Sequence, residues 1–213
     1  MMRLFRRYES MTIAALFRHF KEMGKYFVAS VLVFVFGMIL GYRNSDQFSA
    51  ILQSQMQGLE QLARMISEKE NETLWMFGVI FVNNAVKSIL VVFSGIGFGL
   101  FPLLFLILNA MILGYLAETF ASNGEISFFL KGILPHGIIE IPVLIIACAY
   151  GIKYGAVMAK GLGGLVNGKL RNEFSQDWSR LVKVSVPLAG FLVMAMLVAA
   201  IIESTVTPWL VGS

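Results

Sequence analysis

The chain has 213 residues, 57% hydrophobic and only 14% charged, with a formal net charge of +4 and a mean hydropathy of +0.75. A soluble domain carries about a quarter charged residues, and a chain this short has no core large enough to hide so much apolar side chain. Composition therefore excludes a soluble catalytic module and specifies one domain, residues 1–213, of the all-α, polytopic helical membrane class. The positive charge does not point to nucleic acid, because the basic residues gather at the ends of apolar runs, where they set topology.

Residues 1–25 carry Arg3, Arg6, Arg7, Arg18, Lys21 and Lys25, interleaved with Leu4, Tyr8, Met11, Ala15 and His19 at helical spacing, which assigns His19 to the cytoplasmic surface. This pattern predicts a basic amphipathic helix lying on an anionic membrane surface, with docking to a soluble partner as the alternative. No uninterrupted apolar core of a secretory peptide occurs in this segment. Residues 26–42 form the first predicted span, 17 residues long and at the short end for a bilayer of about 30 Å. Residues 43–72 are polar, but Phe48, Ile51, Leu52, Leu59, Leu62 and Ile66 recur with a helical period, which predicts a second amphipathic helix over residues 47–66.

The second span, residues 73–94, bears an unusual polar load in Asn83, Asn84, Lys87 and Ser88. A glycine hinge, Ser94-Gly-Ile-Gly-Phe-Gly99, returns the chain into a third span, residues 100–117, which contains Asn109. Residues 126–134 are too short to cross. They run into Gly132-Ile-Leu-Pro-His-Gly-Ile-Ile-Glu140, where Pro135 and Gly137 are expected to break the helix. Broken backbone at membrane depth survives only where protein buries it or water reaches it. The motif therefore predicts either a re-entrant hairpin or a kinked connection near the interface. Residues 138–154 and 184–202 give the fourth and fifth spans, joined by a Gly- and Lys/Arg-bearing loop over residues 155–183. With the N-terminus in the cytoplasm, the cytoplasmic segments hold twelve Lys and Arg residues and the outer segments four. That asymmetry orients the chain in a plasma membrane with its C-terminus outside.

The candidate functional residues are the intramembrane polar cluster Asn83, Asn84, Lys87, Asn109, His136 and Glu140, with Pro135 and Gly137 as the helix break. His136 and Glu140 stand one turn apart and share a helical face. Lys87 is the natural counter-charge of Glu140, unless its ammonium snorkels to the interface instead. One His and one carboxylate supply two ligands where structural zinc takes four, so no metal and no cofactor is expected. Cys148 is alone in an apolar run and reads as a small buried hydrophobe. No H-E-x-x-H, no G-x-S-x-G and no pair of facing carboxylates is evident, so no catalytic residue is assigned.

Taken in order, Asn83-Asn84, the hinge to Gly99-x-x-Pro102, Asn109 with Gly114, and Leu134-Pro-His-Gly-x-x-Glu140 followed by Ala147, Ala149 and Gly151 resemble the stage II sporulation protein M family. The motif-bearing core spans residues 73–160. In spore formers the family's namesake anchors a peptidoglycan-remodelling complex as a membrane scaffold. The Pro-His-Gly-x-x-Glu form looks more like the broad, non-sporulation branch. The resemblance implies an integral membrane scaffold or assembly factor whose partners are the lipid bilayer and other membrane or envelope proteins. The alternative is a small transporter or channel subunit, working as an oligomer such as a homodimer, with a polar path at His136, Glu140 and Lys87.

Overall fold

The computed structural model describes residues 13–44, 53–54, 57–58, 61, 64–68 and 70–212. Its principal helices are α1 (Ile13–Glu22), α2 (Gly24–Arg43), α3 (Glu72–Ser94), α4 (Leu100–Ser122), α5 (Ile126–Gly163) and α6 (Gly168–Gly212), and no strand occurs among the described residues. Helices α2 to α6 are each long and apolar enough to cross a membrane, five in all. Large apolar side chains such as Leu32, Phe36, Leu90, Leu104 and Met194 cover the outside of the bundle. That surface is tenable only against lipid, and the protein is a multi-pass membrane protein.

Helix α5 lies at the centre, packed against α2, α3, α4 and α6. Its small residues permit this: Ala147, Cys148 and Ala149 are fully buried, so neighbouring backbones come close. At Gly151 an added Cβ would stand 2.8 Å from the Val91 carbonyl, and at Gly155 it would run into the backbone of Phe98 and Gly99. The hinge between α3 and α4 needs a left-handed residue, which Gly99 supplies at φ +75°; glycine takes that region without steric penalty.

Helices α2 and α4 meet along a second seam of small residues. Gly37 packs on Ala110 and Ile107, Gly41 on the Met111 backbone, and Gly114 on the Met38 backbone. Contact positions rise together along both helices, so the two run parallel. The small-x-x-x-small pairs Gly37/Gly41 and Ala110/Gly114 are the sequence form of such close packing.

Several expectations change. The helix does not break at Pro135-His136-Gly137: α5 runs unbroken from Ile126 to Gly163 with Pro135 and Pro142 inside it. Each proline removes one backbone donor, but a membrane helix flanked by other helices tolerates that loss. The fourth span therefore starts at Ile126, and no re-entrant segment forms. Residues 155–183 are not a loop. Nearly all are helical, and only the turn through Asn167 separates α5 from α6. Gly161 faces the Phe174 ring and Gly163 the Leu170 side chain, so these glycines admit a tight helical hairpin. Helix α6 continues past Ile202 to Gly212. In α1, Leu16 and His19 are buried against the bundle, as is Met23 in the turn after it, so this face packs on protein rather than on lipid. Residues 1–12 lie outside the described residues. So do Phe48, Ile51, Leu52, Leu59 and Leu62 of the second amphipathic segment, while Arg64–Ser67 is helical with Ile66 buried.

Candidate functional site

Three helices bring the polar residues together. Asn84 and Ser88 lie one turn apart on the face of α3 that also buries Ala85, Val91 and Val92. His136 and Glu140 lie one turn apart on α5. Glu203 and Thr207 have the same spacing on α6, which runs antiparallel to α5, so each four-residue step meets its counterpart. His136 Nδ1 stands 3.4 Å from Thr207 Oγ1, and one ligand atom each from His136, Glu140 and Glu203 lie within 4.8 Å of one another. All three side chains are half-buried.

The amides fix this arrangement. Asn83 Nδ2 donates to Asn84 Oδ1 at 3.1 Å, and Asn84 Nδ2 donates to Glu140 Oε1. A carboxylate oxygen accepts, so the Asn84 NH₂ faces it and the Asn84 Oδ1 is left to accept from Asn83. A cavity of about 230 Å³ opens beside the cluster, with Asn84, Lys87, Asn109, His136 and Glu140 on its polar wall and Phe34 and Phe105 among its apolar lining. Five of the six residues singled out from the sequence thus share one chamber, and the sixth, Asn83, supports Asn84 from behind. Asn109 meets its own needs by donating to the Phe105 carbonyl at 2.7 Å.

Lys87 does not pair with Glu140. It is exposed at the cavity's edge, and the ion pairs among the described residues are Lys160 with Asp177 and Glu173, and Arg180 with Glu22. Adjacent helical positions differ by about 100°: Asn84 faces α5, while Asn83 and Lys87 occupy the neighbouring stripe. Sequence reasoning missed Glu203, because a carboxylate after Ile202 reads as the end of an apolar run. The recurrence of apolar residues from Val206 to Val211, with Glu203 and Thr207 one turn apart, is the signal that finds it. His136 and Glu140 alone offer two metal ligands; Glu203 on α6 adds a third.

At the other end of the bundle a separate polar layer locks α1 and the α5–α6 hairpin. His19 Nδ1 is 2.9 Å from the Tyr150 hydroxyl, and Tyr154 and Ser185 share a 2.6 Å bond. Burial holds the His19 pKa below the ordinary imidazole value. Lys160 reaches Asp177 at 2.8 Å and Glu173 at 3.2 Å, and Arg180 reaches Glu22 at 2.6 Å.

Comparison with known proteins bears on what carries this bundle. The family model described as stage II sporulation protein M matches residues 13–208. The chain belongs to the stage II sporulation protein M family. Two relatives come from the archaeon Methanocaldococcus jannaschii, both described as uncharacterized proteins. One is 30% identical over 185 residues, covering 83% of this chain and 78% of the relative. The other is 26% identical over 182 residues, covering 85% of this chain and 93% of the relative. Archaeal relatives agree with the broad, non-sporulation branch of the stage II sporulation protein M family. No solved structure matches the chain.

Proposed function

We propose that the protein is a plasma-membrane scaffold or assembly factor that gathers partner proteins, without catalysing a reaction itself. The observation that carries this reading is the α5–α6 hairpin. The two helices have 38 and 45 residues, about 57 and 68 Å at 1.5 Å per residue, against a hydrocarbon thickness of about 30 Å. Beyond the Tyr154–Ser185 contact they form a stalk stapled by Lys160, Glu173 and Asp177. Its tip presents Leu165 and Val166, 82% and 92% exposed. A rigid arm with an apolar tip beside Lys169 and Arg171 suits docking. In the proposed orientation it faces the cytoplasm, toward proteins with an apolar, acidic surface. Photo-crosslinking from position 166 in the native membrane tests this. We expect one discrete protein adduct, lost in Leu165→Asp/Val166→Asp at unchanged melting temperature. Only lipid adducts, or an adduct indifferent to the double substitution, would refute the reading.

A second reading, a subunit of an oligomeric transporter or channel, is favoured by the chamber beside Glu140. Five spans are few for a complete path, so this reading requires a dimer or larger ring. Its discriminating result is ion flux in proteoliposomes that Glu140→Gln abolishes in a folded protein.

A further inference from the structure

The cluster of His136, Glu140 and Glu203 poses an electrostatic problem that no ion pair among the described residues solves. Two carboxylates lie within 4.8 Å of each other and of an imidazole, among apolar helices. Measured from the Tyr154–Ser185 contact, Glu140 lies 14 residues along α5 (154 to 140) and Glu203 18 residues along α6 (185 to 203). These steps are about 21 and 27 Å, shorter than the hydrocarbon layer, and both residues lie in helices long and apolar enough to cross a membrane. Among the described residues no Lys or Arg is ion-paired with either carboxylate. Two carboxylates this close in a medium of low dielectric hold a proton or a metal cation between them.

The hydrogen bonds indicate which species. With its own proton directed at the Ile202 carbonyl, 3.4 Å away, Thr207 Oγ1 offers lone pairs to Nδ1–H of His136 at the same distance. This pairing goes with the tautomer whose Nε2 is unprotonated and free to ligate. Glu140 has one oxygen held by Asn84, which aims the carboxylate and leaves Oε2 available. An imidazole oriented through its other nitrogen and a carboxylate oriented by an amide are the supporting contacts that accompany metal ligation. We infer that His136, Glu140 and Glu203 form a binding site for a divalent metal of borderline softness, of which Zn²⁺ is the type. One nitrogen and two carboxylate oxygens suit such an ion, with a fourth position left to water from the adjoining chamber. Ligand atoms about 2 Å from zinc sit about 3.3 Å apart in a tetrahedron, so closure from the observed spacing takes a movement of about an ångström per ligand. The ion joins α5 to α6 at the end of the bundle opposite the hairpin, and the inference holds under either functional reading.

The test uses the full chain, purified in detergent with any affinity tag removed and stripped of metal by a chelator. Equilibrium dialysis against Zn²⁺ alone is expected to give one ion per chain. Affinity should fall at least tenfold in His136→Gln and in Glu203→Gln, and about tenfold to a hundredfold in Asn84→Ala, which loses only a supporting contact. His19→Ala and Cys148→Ser should bind as the wild type does. Co²⁺ in place of Zn²⁺ should give the intense visible bands of a tetrahedral site, absent from Glu140→Gln/Glu203→Gln. A wild type that binds no more Zn²⁺ than this double variant, or binding lost in His19→Ala, overturns the proposal. So does a protonated-carboxyl infrared band that Zn²⁺ leaves in place, since a shared proton would then be the neutralising species. Should a variant fold poorly, the Co²⁺ spectrum of the wild type with and without competing Zn²⁺ decides alone: octahedral or non-displaceable Co²⁺ refutes the site.

Discussion

His19, 5% exposed and bonded to the Tyr150 hydroxyl, illustrates how far one residue's neighbours can depart from its local sequence. Arg18 and Lys21 beside it are exposed, and the segment reads as membrane surface, yet the imidazole seats in the bundle and its pKa is lowered by burial. The sign of the consequence follows from linkage. Above about pH 6.5 the ring is neutral in folded and unfolded chains alike, and its packing contributes in full. As pH falls from there toward the lowered folded value, the unfolded chain takes up the proton first, and stability is lost. We predict that the difference in melting temperature between the wild type and His19→Gln narrows on going from pH 7.5 to pH 5.5; a widening gap would refute it. Among the candidate site residues, Asn84, Asn109, His136 and Glu140 were legible because polar groups in apolar runs are costly and hence partnered. Which partner each one takes was not legible. Lys87 is Glu140's obvious mate by charge, yet Asn84, three residues earlier and about 60° around α3, takes that place. Glu203 was hidden by its own charge, which ends an apolar window even where facing helices accommodate it.

At the scale of elements, the five spans were legible because hydropathy alone dictates them, whereas their ends and joints depend on contacts distant in sequence. Pro135 and Gly137 read as a break, and α5 passes through both. Gly161, Gly163 and Gly164 read as a loop, yet they admit Phe174, Leu170 and Arg171 of the facing helix. The same glycine chemistry has opposite consequences elsewhere, which yields a test. A Cβ at Gly41 would collide with the Met111 carbonyl and one at Gly114 with the Met38 carbonyl, whereas one at Gly190 meets nothing within 4 Å. Backbone cannot yield as a side-chain tip does, so Gly41→Ala and Gly114→Ala should each cost about 1–3 kcal/mol through forced separation of α2 and α4. Gly190→Ala on the exposed face of α6 should be neutral or gain up to about 1 kcal/mol of helix propensity. Melts of the purified variants check the order; equal effects at all three positions would mean that the α2–α4 seam is not closely packed.

For the whole molecule, helix directions and charge give separate arguments for one topology. Parallel packing of α2 and α4 puts an even number of crossings' worth of reversal between them, which α3 supplies by returning the chain. The antiparallel α5–α6 pair then follows from the short turn at Asn167. Accordingly, the start of α2, the α3–α4 hinge and the α5–α6 hairpin lie at one end of the bundle, and the α4–α5 turn near Gly124 at the other. The hinge beside the hairpin is visible in contacts of Gly95 with Gly151 and of Gly99 with Gly155. The hairpin end carries Lys153, Lys160, Lys169, Arg171, Arg180 and Lys183, while Lys131 is the only Lys or Arg from Leu100 through Ile152. Basic residues are retained on the cytoplasmic side, so we predict the hairpin inside and the α4–α5 turn outside. In a Cys148→Ser background, a cysteine at Asn123 should react with an impermeant maleimide on intact cells, and a cysteine at Lys169 only after the membrane is opened. Both positions are exposed, so lack of reaction at Lys169 would reflect sidedness rather than burial. Labelling at Lys169 from outside with Asn123 protected would invert the molecule and place the apolar hairpin tip beyond the reach of cytoplasmic partners.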